Sequence, residues 1–228
     1  MKPTNTASLP ASRRHILDLL KRCGDATAGE VAEQLGMTRE NARQQLQLLE
    51  QEGWIARSAR AAEGAGRPAV SFRITPAGDH LFPKNYDQLS MTLVDAVATQ
   101  LGPEALVKLL AAITEQQVRH WEPKLVGLSL PERIKALKDI YVEDDPHTSM
   151  RKDQRGYVLV ERNCPFLNVA MGRPQLCAIT VNTLTRLLGV KVLREERFQD
   201  GDRRCVFRVL EDQPIDTADY VFQLEQAA

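Results

Sequence analysis

The sequence has no apolar run approaching the roughly 20 residues that a bilayer span requires. Its opening stretch, MKPTNTASLPASRRH, also lacks the apolar core of a secretory leader. A cytoplasmic protein with no membrane partner is expected. There is no Cys-x-x-Cys pair, the usual spacing of structural zinc sites and thiol-disulfide enzymes. No catalytic dyad, phosphate-binding glycine loop or metal-hydrolase motif is present either, so the expectation is not an enzyme. Net charge is absent too, since 30 Lys+Arg balance 30 Asp+Glu. The first 85 residues carry 12 basic and 9 acidic side chains, a net of +3, and the remainder carries −3. That bias is too mild to argue for a polyanionic partner by itself.

What is present is enough apolar material, 43% of 228 residues, for two modest domains. From Ser12 to Gly24, Ile16, Leu19, Leu20 and Cys23 fall on one helical stripe, which assigns Cys23 to core packing. Thr27 and Glu30 stand in capping-box relation ahead of a short second helix that buries Val31, Ala32 and Leu35 and stops at Gly36. Thr38 caps a third helix with Ala42, Leu46 and Leu49 on its apolar side. The outward positions of that helix, Arg39, Glu40, Arg43, Gln44 and Gln45, can bond base edges and phosphates in a major groove. GWIARSAR and AVSFRITPAG then read as two strands joined by the loop AAEGAGRP, a wing whose Arg57, Arg60 and Arg67 suit phosphate contact.

Residues 10–82, down to the GRPxxxFRxTPAGxxLFP run, resemble the winged helix-turn-helix of ArsR-like bacterial transcription regulators. The resemblance implies binding to double-stranded DNA. Beyond it, Leu89, Leu93, Val97 and Leu101, and then Leu106, Leu109, Leu110 and Ile113 after Gly102-Pro103, mark two amphipathic helices. Two such thin helices need a partner, either the same helices of a second subunit or the C-terminal domain. A homodimer reading a palindromic operator is the economical choice. The expected architecture is α+β: a winged domain over 1–84, a helical dimerisation region over 85–123 and an α+β sensor domain over 124–228.

In that last region a helix from Pro131 to Tyr141 is followed by VEDDPHTSMRKDQRG, read as an exposed loop. Strands are expected at 157–160, 190–193 and 205–209, and a helix from Leu176 to Leu188. Cys164 then falls just after a strand, Cys177 in the first turn of a helix and Cys205 at the start of the last strand. Three thiols at element ends can converge. Core packing, a redox pair and a metal site are all open on these grounds. Zinc fits poorly without a fourth ligand. An iron-sulfur cluster held by three cysteines fits better, with Pro165 after Cys164 and with Arg203-Arg204 and a helix N-terminus favouring thiolates.

The spacing in LVERNCPFLNVA, QLC and ERFQDGDRRCVFRV, taken with the winged helix, resembles the SufR family of iron-sulfur-responsive regulators over nearly the whole chain. That resemblance implies that Cys164, Cys177 and Cys205 are ligands of a cluster, usually [4Fe-4S]. It further implies that the loaded dimer represses genes for iron-sulfur cluster assembly. The fourth ligand is left open, with His147 the available side chain. A winged regulator enclosing an organic effector is the alternative.

Overall fold

The computed structural model describes residue 6 and residues 9–60 and 69–225. The chain divides into two compact units, residues 1–85 and 86–228. Among the described residues no helix is long and apolar enough to cross a membrane.

The first unit is built from α1 (Ala11–Cys23), β1 (Asp25–Thr27), α2 (Ala28–Gln34), α3 (Arg39–Gln51), β2 (Ile55–Arg60), β3 (Ala69–Ile74) and the short α4 (Pro76–Asp79). The expected capping box starts α2: the Glu30 amide donates to Thr27 Oγ1 at 3.2 Å, and the Thr27 amide donates to the Glu30 carboxylate at 2.7 Å. Gly36, at φ +62°, turns the chain from α2 toward α3. Ile16, Leu17, Leu20, Val31, Leu46 and Leu49 form one core under β2 and β3. Each such side chain contributes about 1.5–3 kcal/mol by leaving water. The wing hairpin pairs Ile55 with Ile74 through Arg60 with Ala69, and β1 adds a third strand on the other edge of β3. Gly78 admits no side chain, because a Cβ there would collide with the Trp54 carbonyl oxygen.

Cys23 departs from its expected core role. It is exposed, and its thiol donates to the Leu19 carbonyl at 3.0 Å. As the last residue of α1 it lies past the last turn that the domain core covers.

The second unit comprises α5 (Tyr86–Leu101), α6 (Pro103–Trp121), α7 (Leu130–Asp144), β4 (Ser149–Asp153), β5 (Gly156–Glu161), α8 (Leu167–Gly172), α9 (Ala178–Leu188), β6 (Val190–Glu196) and β7 (Cys205–Pro214). Its antiparallel sheet has the order β4-β5-β7-β6. One face of the sheet packs Leu159, Phe207 and Val209 against Leu137, Leu184 and Leu187 of α7 and α9. The helices of region 85–123 pack within this unit. Val94, Leu106 and Leu110 bury against Leu176, Ile179 and Phe222. Much of the α5 stripe stays outside that contact, with Leu89 57%, Leu93 58% and Leu101 70% exposed.

The expected exposed loop before β5 contains β4, whose Ser149–Asp153 pair with Val160–Gly156. SMRKD shows little alternation because an edge strand has a solvated outer margin, where charge guards against further pairing.

Candidate functional site

Two places concentrate polar side chains that the fold does not itself require. The first is α3. Thr38 accepts from the Asn41 amide at 3.2 Å as N-cap, and Ala42, Leu46 and Leu49 face the core. The opposite side carries Thr38, Arg39, Glu40, Arg43 and Gln44, all exposed, with Gln45 half-buried beside them. Arg39 and Arg43 make no ion pair among the described residues, so both guanidinium groups are available to phosphate or guanine. Asn41, absent from the sequence-based set, is exposed on the same first turn and accepts from Gln45 Nε2 at 3.5 Å.

The wing arginines differ. Arg57 is held by Glu50 of α3 through two hydrogen bonds of 3.0 and 3.1 Å. Arg60 closes β2, but its side chain and Arg67 lie outside the described residues.

The second place is a cavity of about 370 Å³ inside the second unit, lined by Cys164, Cys177 and Cys205 together. Cys164 follows β5, Cys177 is the residue before α9, and Cys205 opens β7. Cysteines separated by 12 and 27 intervening residues are thus brought to one wall, and all three thiols are free. Asp145 supports the Cys164 end. Its buried carboxylate accepts from the amides of Arg162 (2.8 Å), Asn163 (3.0 Å) and His147 (2.9 Å) and from the Thr148 hydroxyl (3.0 Å). Burial works against ionisation here, but these four donors win and hold the carboxyl below the usual aspartate range.

The thiols meet a different environment from the one expected. Burial, with the Glu161 charge added to it, pushes the Cys164 thiol up to about 12. Burial also raises Cys177 and Cys205, against the pull of Arg194. Cys177, although it is the N-cap of α9, is still raised by its burial, and Arg203-Arg204 do not supply a compensating charge. Both arginines are exposed, and Arg204 is engaged by Glu196 at 2.6 and 2.9 Å. The cation that reaches the thiols is Arg194, whose side chain is 4% exposed, lies over the Phe207 ring and donates to the Cys177 carbonyl at 2.9 Å. Glu225 holds the same guanidinium at 2.9 and 3.1 Å.

Gln199 completes that side, with Nε2 donating to Cys177 Sγ at 2.8 Å and to the Ala170 carbonyl at 3.2 Å. His147 is exposed and does not line the cavity. Arg194 was hidden from sequence reading because it lies in β6, where strand alternation alone does not reveal that its side chain turns toward two other elements. Among the described residues no three His, Cys, Asp or Glu side chains are gathered tightly enough for a single metal ion.

The remaining wall of the cavity is apolar and includes Leu93, Val94 and Ile113 of α5 and α6. The segment between Cys164 and Cys177 is clipped to α5. Asn168 Nδ2 donates to Asp87 at 2.7 Å, and Arg173 forms an ion pair with Asp95.

Residues 9–56 match the winged helix-turn-helix DNA-binding family. A winged helix-turn-helix DNA-binding domain is therefore present, double-stranded DNA is its implied partner, and the protein falls in the broad class of transcriptional regulators. The match ends within β2 and covers none of the second unit. The chain matches no curated protein and no solved structure.

Proposed function

We propose that the protein is a homodimeric transcription repressor whose hold on a palindromic operator depends on an iron-sulfur cluster, [4Fe-4S] in the resemblance, bound by Cys164, Cys177 and Cys205. Genes for iron-sulfur cluster assembly are the proposed targets. The observation that carries the reading is the convergence of three thiols from distant segments on one cavity. The donor set fits such a group. A cluster spreads its ligands over several irons, so its thiolates stand farther apart than the ligands of one tetrahedral ion. Thiolate ligation makes the site anionic, and the buried Arg194 answers that charge. Gln199 supplies a donor to the Cys177 sulfur, the kind of hydrogen bond that tunes cluster potential.

When bound, the cluster would supply an oxidant- and iron-sensitive crosslink between β5, the 165–177 segment and β7. The chain's own residues carry the consequence. With Cys164 and Cys177 both fixed, α8 is held at its two ends, and Asn168 and Arg173 hold Asp87 and Asp95 of α5. Helix α5 starts one residue after the DNA-binding unit ends. Its exposed Leu89, Leu93 and Leu101 are the surface proposed to pack on the same helix of a second copy. Releasing the thiols loosens α8, then α5, and so the spacing of two α3 helices on DNA. Coupling on the order of 1–3 kcal/mol is ordinary for such linkage.

Iron and sulfide analysis of anaerobically purified protein, beside Cys164→Ser, Cys177→Ser and Cys205→Ser, tests the reading. Stoichiometric iron and sulfide in the wild type, lost in each variant, is the expected result. Full iron in any variant removes that residue from the ligand set. A second reading has its own support: the cavity volume and apolar lining fall in the range of organic-ligand sites. Colourless anaerobic protein that takes up no iron would favour that effector pocket.

A further inference from the structure

One residue at the cavity contradicts the pattern of the strand that carries it. Tyr157, Leu159 and Glu161 alternate onto the same face of β5 and pair across to Val209, Phe207 and Cys205 of β7. Leu159, Phe207, Val209 and Cys205 all belong to the main core of the unit. The third position of that apolar row is a carboxylate, and it is only 5% exposed. A carboxylate in such a place is costly unless it is paired or coordinates a metal. Its cationic neighbour is Arg194, and that guanidinium is already held by Glu225 through two hydrogen bonds and by the Cys177 carbonyl through a third. Glu161 therefore stands inside the thiol cavity as an oxygen donor with no cation of its own. It is three residues before Cys164 and directly opposite Cys205.

We propose that Glu161 is the fourth, non-thiolate ligand of the cluster held by Cys164, Cys177 and Cys205. This assignment rests on the cluster reading above. It explains why an acidic oxygen donor is kept at a core position, and it places the most exchangeable corner of the site on β5. Carboxylate oxygen is a harder donor than thiolate and matches cluster iron less well, so the iron bound there is the first to leave. The rival donor is Gln199 Oε1, which is buried and without a hydrogen-bond partner among the described residues. Its amide is neutral, and its Nε2 is already tied to the Cys177 sulfur. Gln199 is accordingly the residue that orients Cys177, and Glu161 the one that binds iron.

The test compares full-length wild type, E161Q, E161A, E161C and Q199A, each loaded anaerobically with iron and sulfide. Three readouts apply: Mössbauer spectra, the rate of iron loss to a chelator, and thermal melting of the metal-free form to confirm folding. Expected for the wild type is one iron environment per cluster distinct from the thiolate-bound ones. E161Q and E161A should lose that distinct environment and release iron at least about tenfold faster. E161C should slow release again and render the spectrum uniform. Loaded wild type and E161Q that share spectrum and release rate would overturn the assignment while leaving the cluster reading intact. So would loss of the distinct environment in Q199A alone. Wild-type protein that binds neither iron nor sulfide would overturn both.

Discussion

Helix α3 carries its polar chemistry on its solvent face, whereas the thiol cavity carries its own inside a fold. In α3 the apolar residues are inside and the charged ones outside, so Arg39 and Arg43 stay hydrated and open to a polyanion. At the cavity, Glu161, the Arg194 side chain and Cys205 are buried beside an apolar wall, with Cys164 and Cys177 half-buried next to them. The first arrangement costs the fold little. The second works against it, since each buried ionisable group weakens packing unless another group answers it. A surface reader can therefore be altered residue by residue. An internal site is tied to the stability of everything around it.

The largest expected effect comes from breaking the favourable side of the comparison. Leu46→Ala empties a fully buried position on the core face of α3 and is expected to cost about 3–4 kcal/mol, read by thermal or denaturant melting. Asp145→Ala is next, at roughly 3 kcal/mol by the same measurement, because it leaves the amides of His147, Arg162 and Asn163 without their acceptor. Asp145 also sets a pH dependence. Its carboxyl is depressed in the folded chain, so its contribution is present above the ordinary aspartate value of 3.8 and is lost as pH falls below it. Melting of Asp145→Asn should lack that acid-limb loss.

Smaller effects separate the two regions functionally. Cys177→Ser is expected to leave α3 intact yet weaken binding to the selected DNA site by about 1–3 kcal/mol, measured anaerobically at one fixed salt concentration. Equal affinity of Cys177→Ser and loaded wild type would cut the proposed link between cavity and helix. Arg43→Ala should cost about 1–3 kcal/mol and relax sequence preference at the contacted base pair. The smallest effect is expected from Glu50→Gln, which frees Arg57 for phosphate. It should steepen the salt dependence by about one counterion with little change in sequence preference.

Legibility in the sequence follows the same division. The periods of α1 and α3, the Thr27–Glu30 box and the wing strands are local signals, and local signals suffice where a helix has one wet face and one dry one. They fail where partners come from elsewhere. Cys23 satisfied a helical period but sits beyond the core. Helix α8, too short and too evenly apolar to show a period, went unseen, as did β4 at the sheet edge. Arg203 and Arg204, adjacent to Cys205 in sequence, face solvent, while Arg194, eleven residues earlier, reaches the thiols.

From the residues alone came the winged DNA-binding unit, the polar outer face of its third helix and a trio of cysteines at element ends. Only the tertiary structure decided that those cysteines share one cavity with Glu161 and Arg194, that Arg57 is held by Glu50, and that α5 and α6 pack on the C-terminal sheet unit. The reason is the range of the forces involved. Helical and strand periodicities are set by neighbours a few residues away in the chain. Burial, charge pairing and thiol convergence depend on which distant strands lie side by side, and the register of β5 on β7 exists only once the sheet has formed.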